Sequence, residues 1–165
     1  MTSRNDLGFK THDQVADWYN RKYTEMGGGW ITPTHELDHH LRALIGSGMD
    51  PISSDVASTN LLDLGCGDGQ FLFWAANYPF SSLIGVDISP VACKMAREYT
   101  KTDRSRITVF CTSMEDPRNE TGVKIARGAF DYVISLGSLE HSLDIPAAVR
   151  TIHQSLRRGG RFLIY

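Results

Sequence analysis

Residues 61–69 read Leu-Leu-Asp-Leu-Gly-Cys-Gly-Asp-Gly and are the most informative stretch of this 165-residue chain. The apolar start predicts a buried strand, and the glycine-rich turn after it leads into a helix that begins near Gln70. Glycines let the backbone turn sharply and let a ligand lie against main-chain N–H groups at a helix N-terminus. The stretch therefore predicts a site for a nucleotide-containing cofactor at the end of this strand.

A second apolar run ends in Gly85-Val86-Asp87, which places a carboxylate twenty-two residues beyond Gly65. That separation suits the tip of the neighbouring strand, where a carboxylate can accept hydrogen bonds from both ribose hydroxyls. The glycine spacing departs from the dinucleotide pattern GxGxxG, because the third glycine comes one residue early and Gln70 occupies the sixth position. An acid at Asp63 suits an ammonium or sulfonium group better than a pyrophosphate, so the pattern disfavours a nicotinamide-dependent oxidoreductase.

Further along the chain, short apolar runs alternate with helical patterns. The predicted strands are residues 61–64, 83–86, 107–111, 132–136 and 162–165. Helices are expected after Ser89-Pro90, with Val91, Ala92, Met95, Ala96 and Tyr99 facing inward, and after Asp144, with Ile145, Ala148, Val149, Ile152 and Leu156 facing inward. The second of these helices is expected to close at Gly159-Gly160. The alternation predicts an α/β fold with an open, doubly wound, mostly parallel sheet.

An N-terminal helical extension precedes this sheet. Residues 13–26 carry a helical stripe made of Val15, Trp18, Tyr19, Tyr23 and Met26, and three glycines from Gly27 end it. A second helix is expected from Thr32-Pro33 to about Ile45, followed by a polar linker. We therefore divide the chain into an extension or lid at residues 1–50 and a cofactor-binding domain at residues 51–165.

Composition narrows the class of partner. Seventeen basic against nineteen acidic residues give a net charge of −2, so the chain has no overall positive field to attract nucleic acid or an anionic membrane surface. No apolar run approaches the roughly 20 residues of a membrane-spanning helix. Three widely spaced cysteines predict neither a disulfide framework nor a structural metal site and fit a reducing cytoplasm. A small molecule is the expected partner.

Four segments of the chain resemble class I S-adenosylmethionine-dependent methyltransferases, in the order and spacing of that family. They are DLGCGDG at 63–69, IGVDIS at 84–89, FDYVISLGSLEHSLD at 130–144 and LRRGGRFLI at 156–164, and together they cover the chain from Asn60 onward. The LEH at 139–141 is similar to the ubiquinone-biosynthesis-like branch, whose acceptors are small molecules. The resemblance implies a Rossmann-like fold, S-adenosyl-L-methionine as cofactor and methyl transfer to a small-molecule acceptor.

The resemblance also implies which residues bind the cofactor. Asp63 and the loop glycines would surround its methionine part, Asp87 the ribose, and Ser113, Met114 and Glu115 the adenine, although the family often has an acid where this chain has Ser113. The full predicted set is Asp63, Gly65, Cys66, Gly67, Gly69, Asp87, Ile88, Ser113, Met114, Glu115 and Leu136. His141 is the candidate catalytic base; the alternative is that it orders its loop or lines the cofactor pocket.

Three questions stay open at this point. His35, Glu36 and His39 spell HExxH, but Arg42 and Ile45 stand where a zinc protease of the metzincin type has Gly and His, so we predict no metal site. The apolar final strand would leave an unprotected edge, which predicts either a fragment that stops within strand five or self-association through that edge. A catalytically idle cofactor-binding or interaction module of the same fold is the alternative to an active enzyme.

Overall fold

The structure, a computed structural model, describes residues 8–28, 59–103, 106–122, 124–125 and 127–165. Its elements, in chain order, are α1 (His12–Met26), β1 (Asn60–Leu64), α2 (Gln70–Ala75), β2 (Ser82–Asp87), α3 (Pro90–Tyr99), β3 (Ile107–Cys111), β4 (Phe130–Ser135), α4 (Ile145–Ser155) and β5 (Leu156–Ile164). Short 3₁₀ turns occupy Lys101–Asp103 and Leu139–His141. The predicted helix after Thr32, the HExxH segment and Trp30 lie outside the described residues.

The five strands form one sheet in the order β3-β2-β1-β4-β5, and every neighbouring pair is parallel. The chain starts at the centre with β1, runs outward to β3, and then returns to the other side of β1 with β4 and β5. This order confirms the predicted doubly wound α/β fold. In such sheets ligands bind beyond the carboxyl ends of the strands where the order reverses, here at β1 and β4.

Helices cover both faces of the sheet because strand β1 is apolar on both of its faces. Leu61 contributes to a core with α2 and α3, whereas Leu62 and Leu64 contribute to a second core with α4. Successive side chains of a strand point to opposite faces, so one apolar strand holds the two layers together. Asp63 shares the face of Leu61 and is only 2% exposed.

The inward faces of α3 and α4 differ in part from the prediction. Ala92 and Ala96 are buried on α3 as predicted, but Tyr99 is 51% exposed and rests against Phe73 at the surface, with ring centroids 5.0 Å apart. Cys93 takes the inward place instead. On α4 the predicted Ala148 and Ile152 are buried, whereas Ile145 and Val149 are exposed, and the small polar side chains of Thr151 and Ser155 face inward.

The end of α4 was predicted wrongly. The helix ends at Ser155, and Leu156 already belongs to β5, which runs nine residues to Ile164. The register of β5 on β4 shifts between Phe130 and Tyr132, so the strand contains an irregularity that its two glycines allow. Gly159 has a left-handed φ of 80°, and a Cβ on Gly160 would stand 3.0 Å from the Phe130 carbonyl oxygen. A glycine pair that suggested a helix end therefore sits within the strand.

Helix α1 begins and ends as predicted. Thr11 caps its N-terminus in a capping box with Gln14, and Gly27, in the left-handed conformation, closes it. The helix packs against α3 beside the carboxyl ends of the strands. Among the helices of the described residues, none is long and apolar enough to cross a membrane.

Candidate functional site

A cavity of about 410 Å³ lies at the carboxyl edge of the sheet, where the strand order predicts a ligand site. Its floor is formed by the loops that follow β1, β2, β3 and β4, and its roof is formed by α1. The roof residues are His12, Val15, Trp18, Tyr19, Lys22, Tyr23 and Met26, and the floor includes the predicted Asp63, Gly65, Cys66, Gly67, Asp87, Ile88, Ser113, Met114, Glu115, Leu136 and His141. Its size is ordinary for a cofactor or substrate site, which is about 300–1,000 Å³.

The loop after β1 requires glycine at two places. Gly65 and Gly67 both have a positive φ, of 85° and 55°. A Cβ on Gly65 would overlap the Ser138 side chain, and a Cβ on Gly67 would stand 2.5 Å from the Tyr23 hydroxyl oxygen. The backbone N–H groups of Gly65 and Cys66 both donate to the Val86 carbonyl, at 2.7 and 2.9 Å. The loop is therefore held between β2, the roof helix and the β4 loop.

Gly69 is the predicted site residue that does not line the cavity. It caps the N-terminus of α2 with a φ of 83°, and a Cβ there would come within 3.0 Å of the Cα and Cβ atoms of Ala96 on α3. The close approach of α2 and α3 explains why glycine occurs at this position. A cofactor role for Gly69 stays a prediction.

Asp87 joins the loop to the tip of β2. One carboxylate oxygen accepts the Gly67 N–H at 2.9 Å, and the other accepts the Ser89 N–H at 2.8 Å. Burial raises the pKa of Asp87 to about 6, against the lowering effect of those backbone hydrogen bonds. The carboxylate faces the cavity with its remaining lone pairs available to hydroxyl groups.

Asp63 lies deeper in the same wall. Burial, reinforced by the negative charge of Asp87, raises the pKa of its carboxyl group to about 8. An acid held at that depth favours a positive group close to it, since a cation stabilises the carboxylate that burial disfavours.

The charges of the residues that line the cavity also favour a positively charged ligand. Among the lining residues that the structure describes, five are acidic, one is lysine and two are histidines; the acids are Asp63, Asp68, Asp87, Glu115 and Glu140. A small cavity with this excess of carboxylates attracts a cation and repels a phosphorylated ligand. This agrees with the departure of the glycine spacing from the dinucleotide pattern.

Glu115 connects three parts of the site. One carboxylate oxygen accepts hydrogen bonds from the Ser142 hydroxyl at 2.6 Å and the Asp144 N–H at 2.9 Å, and the other contacts His12 Nε2 of α1. Its backbone carbonyl accepts the Thr151 hydroxyl of α4 at 2.8 Å. Burial alone would raise the pKa of Glu115, but these hydrogen bonds outweigh burial and lower it. Protein groups therefore already contact both oxygen atoms of this carboxylate, and an adenine bound beside it would have to share them.

His141 lies on the 3₁₀ turn after β4 and lines the cavity. Its ring meets the Tyr19 ring of α1 edge to face, with centroids 5.7 Å apart and planes at 74°. Its Nε2 is 3.7 Å from the Glu140 carboxylate, and the side chain remains partly exposed to the cavity. The imidazole therefore lines the cavity beneath the roof helix, and its role as a catalytic base stays a prediction.

Asn20 fastens the roof helix to the floor. Its side-chain oxygen accepts hydrogen bonds from the Ser89 hydroxyl at 2.7 Å and from the Val91 N–H at 3.3 Å. Ser89 also donates its N–H to Asp87, so α1 is linked to the carboxylate through one intervening residue. Sequence reasoning did not select Asn20, His12 or Lys22, because a polar residue on the exposed side of a helical stripe carries no signal of its distant partner.

The fold and the lining define an α/β domain with an acid-lined cavity at the carboxyl edge of its sheet, and comparison with known proteins identifies its family. A family model described as a methyltransferase domain matches residues 62–162, and the chain belongs to this family. S-adenosylmethionine is accordingly its cofactor. The predicted resemblance to S-adenosylmethionine-dependent methyltransferases is confirmed.

Curated relatives include two ubiquinone biosynthesis O-methyltransferases. The protein of Nitrosomonas europaea is 25% identical over 146 residues, which are 84% of this chain and 57% of that protein. The protein of Xanthomonas oryzae pv. oryzae is 29% identical over 126 residues, which are 75% of this chain and 50% of that protein. The chain thus spans about half the length of the curated relatives it matches.

Solved structures show the same fold. An S-adenosylmethionine-dependent methyltransferase of Mesorhizobium loti matches with a TM-score of 0.61 and 27% identity over 79% of this chain and 52% of that one. The [4+2]-cyclase SpnF matches with a TM-score of 0.67 and 21% identity over 94% of this chain and 60% of that one, which is a likeness of fold alone. One fold thus carries more than one chemistry, so the acceptor has to be argued from the site.

Proposed function

We propose that this chain carries the cofactor site and part of the acceptor site of an enzyme that methylates a hydroxyl group of a small, neutral, largely apolar molecule. The observation that carries the proposal is the division of one cavity: carboxylates lie in its floor, aromatic side chains of α1 form its roof, and His141 of the floor meets the Tyr19 ring of the roof edge to face. The relatives named as O-methyltransferases support oxygen as the methylated atom.

The floor residues suit S-adenosylmethionine. In this proposal Asp63 faces the ammonium group, Asp87 accepts both ribose hydroxyls, and the apolar side chains of Ile88, Met114 and Leu136 line the cavity around the adenosine. Gly65, Cys66 and Gly67 give their backbone to the methionine part, and Ser113 and Glu115 border the adenine. The bound cofactor supplies a methyl group on a positive sulfur, which any well-placed nucleophile can accept.

The chain itself would supply alignment and a proton acceptor. In-line transfer needs the acceptor oxygen within about 3–3.5 Å of the methyl carbon and the exclusion of water. Trp18 and Tyr19 close the cavity from α1 and offer ring surfaces to a planar acceptor. His141 would take the hydroxyl proton on its imidazole, and Glu140 beside it would stabilise the resulting cation.

The experiment compares cofactor binding with turnover. S-adenosylhomocysteine binding is measured by calorimetry, and methylation is measured with a panel of small phenols and catechols, for wild type, His141→Gln and Glu140→Gln. The proposal expects His141→Gln to bind S-adenosylhomocysteine normally and to lose turnover by about 10²-fold or more, with a smaller loss in Glu140→Gln. Equal turnover in His141→Gln contradicts the base. Normal binding with no turnover of any acceptor favours the idle cofactor-binding module.

Two further points remain proposals about the whole protein. We propose a lid at residues 1–50 over a cofactor domain at residues 51–165, in a cytoplasmic protein; the closure of the cavity by α1 supports the first part. We also propose self-association through β5, because Phe162, Ile164 and Tyr165 at its end are exposed. Light scattering over a concentration series tests the second point, and a mass that stays monomeric contradicts it.

A further inference from the structure

Two of the three cysteines meet beside the cofactor site. Cys93 is fully buried on the first turns of α3, and Cys111 is exposed at the last position of β3. Cys111 lies on the same face of β3 as Ile107 and Val109, which pack in one core cluster with Cys93. Cys93 Sγ contacts the carbonyl oxygen of Phe110, the residue directly before Cys111, at 3.8 Å.

Both thiols also touch the peptide chain that carries Asp87. Cys93 Sγ contacts the Asp87 carbonyl oxygen at 3.4 Å, and Cys111 Sγ contacts the carbonyl oxygen of the next residue, Ile88, at 3.9 Å. The Asp87 carbonyl accepts the Thr112 N–H as well, at 2.9 Å. The sulfur pair is therefore in contact with the main chain that positions the proposed ribose-binding carboxylate.

We propose that Cys93 and Cys111 form a reversible disulfide that weakens cofactor binding when the protein is oxidised. Stepwise thiol–disulfide exchange needs one accessible thiol, here Cys111, to attack the oxidant and a second sulfur, here Cys93, near the mixed disulfide. Cys111 is the accessible member, whereas burial and the nearby Asp87 carboxylate raise the pKa of Cys93 and keep it protonated. Cys93 thus serves as the second thiol, which acts once Cys111 has been oxidised.

The oxidant we assign is a low-molecular-weight disulfide such as glutathione disulfide. The Cys111 thiolate attacks one of its sulfur atoms, a mixed disulfide forms, and one glutathione thiol leaves. Cys93 then loses its proton and its thiolate attacks the Cys111 sulfur; the second glutathione leaves as a thiolate, takes up the proton, and the protein disulfide closes. The overall reaction converts two protein thiols and one glutathione disulfide into one protein disulfide and two glutathione thiols.

Closing the bond alters the cofactor site because sulfur atoms in a disulfide stand only about 2.05 Å apart. Both S–H contacts to the Asp87 and Ile88 carbonyls are lost, and the end of β3 at Cys111 moves toward α3. Asp87 receives the Gly67 N–H at 2.9 Å, so a displaced Asp87 also disturbs the loop after β1. Since a misplacement of about 1 Å can cost about 10²-fold, we expect roughly tenfold weaker binding of S-adenosylhomocysteine.

The test exposes the full chain to a series of glutathione redox buffers and reads two quantities. Peptide mass spectrometry identifies which cysteines are joined, and calorimetry measures S-adenosylhomocysteine affinity before oxidation, after it, and after dithiothreitol. The expected result is a disulfide between Cys93 and Cys111, about tenfold weaker binding, and full recovery on reduction. Cys111→Ser, which keeps a hydrogen-bond donor at this position, should bind as reduced wild type does, and neither it nor Cys93→Ala should respond to the buffers.

Two results overturn the proposal. A glutathione adduct that remains on Cys111, with Cys93 still a thiol, shows that the pair does not close. An internal disulfide with unchanged affinity shows that the pair does not act on the cofactor site. If the reduced chain fails to bind S-adenosylhomocysteine, the proposed function is wrong. The mass measurement still shows whether Cys93 and Cys111 form a disulfide. Because Cys111 is exposed, Cys111→Ser remains informative even where the buried Cys93→Ala variant folds poorly.

Discussion

The floor and the roof of the cavity are held together in different ways. On the floor, backbone groups do most of the work: Gly65, Cys66 and Gly67 donate N–H groups to Val86 and Asp87, within one glycine-rich loop and the next strand. On the roof, α1 is joined to the sheet by side chains whose partners lie far away in sequence, as in the contacts of Asn20 with Ser89 and of His12 with Glu115. The geometry of the floor is thus encoded within one loop and the adjacent strand, whereas the position of the roof helix depends on long-range contacts.

The largest expected effect comes from the floor, with Gly65→Ala. Its left-handed φ costs an alanine about 1–2 kcal/mol, and the overlap of the new Cβ with Ser138 adds about 1–3 kcal/mol of overpacking. We therefore expect a fall of about 3 kcal/mol in the free energy of unfolding, together with loss of S-adenosylhomocysteine binding. Chemical denaturation and calorimetry measure the two quantities.

Gly122→Ala is the matched control for this prediction. Gly122 has nearly the same φ, 78°, but a Cβ there meets nothing within 4 Å. It should lose only the conformational part, about 1–2 kcal/mol, and keep normal binding. Equal losses of unfolding free energy in the two variants would mean that the Ser138 side chain moves aside at no cost and that the floor is less rigid than its geometry indicates.

The next effect tests the electrostatics of the floor through pH. With a pKa of about 8 in the free protein, Asp63 is mostly protonated at pH 6.5 and about half ionised at pH 8. If the ammonium group needs the carboxylate, S-adenosylhomocysteine affinity should rise about tenfold over this range. Asp63→Asn should bind at least about tenfold more weakly at pH 8 and show a much flatter profile. Calorimetric titrations at several pH values provide the measurement.

The raised pKa of Asp63 also predicts how the stability of the free protein changes with pH. Stability should fall as pH rises, whereas S-adenosylhomocysteine affinity should increase. The folded pKa of Asp63 lies above its ordinary value of 3.8, so the fold favours the protonated acid. Its contribution to stability is complete below about pH 4 and is lost as pH rises toward 8. Denaturation of Asp63→Asn should keep only the smaller decline that the raised pKa of Asp87 causes, which ends near pH 6. A wild-type free energy of unfolding that is constant from pH 4 to 8 would contradict the raised pKa.

These differences between floor and roof explain how much could be predicted from the sequence. The sheet, the motif loop and the positions of Asp63 and Asp87 follow from short-range patterns, in which glycine spacing and strand tips have a fixed geometric meaning. The exposure of Tyr99, the inward position of Cys93 and the early end of α4 depend on packing between elements, which periodicity does not report. Roof contacts such as that of Asn20 were missed because their partners are about 70 residues away.

Asn20→Ala measures how much the roof contributes to cofactor binding. Two hydrogen bonds to the N-terminus of α3 are lost, at about 1 kcal/mol each. If α1 must dock for the cavity to close, S-adenosylhomocysteine affinity should fall about fivefold to tenfold. Arg21→Ala, at the exposed neighbouring position of the same helix, should bind as wild type does. An unchanged affinity in Asn20→Ala would mean that the floor alone determines binding.

The smallest effect is expected for His12→Ala, at the other end of the roof helix. His12 is largely exposed, and surface ion pairs contribute between about 0 and 1 kcal/mol, so affinity should fall no more than about threefold.

The His12→Ala variant should instead differ from wild type in the pH at which it unfolds. The pKa of Glu115 is lowered from 4.5, so its contribution to stability is present above that pH and is lost on acidification. Removing His12 removes one of the groups that lower this pKa, so acid unfolding should begin at a slightly higher pH than in wild type. His153→Ala, an exposed histidine on α4, should leave the acid transition in place. If the transition moves equally in both variants, the contact between His12 and Glu115 is not what couples the roof to the β3 loop, and Ser142 and Asp144 alone hold the carboxylate.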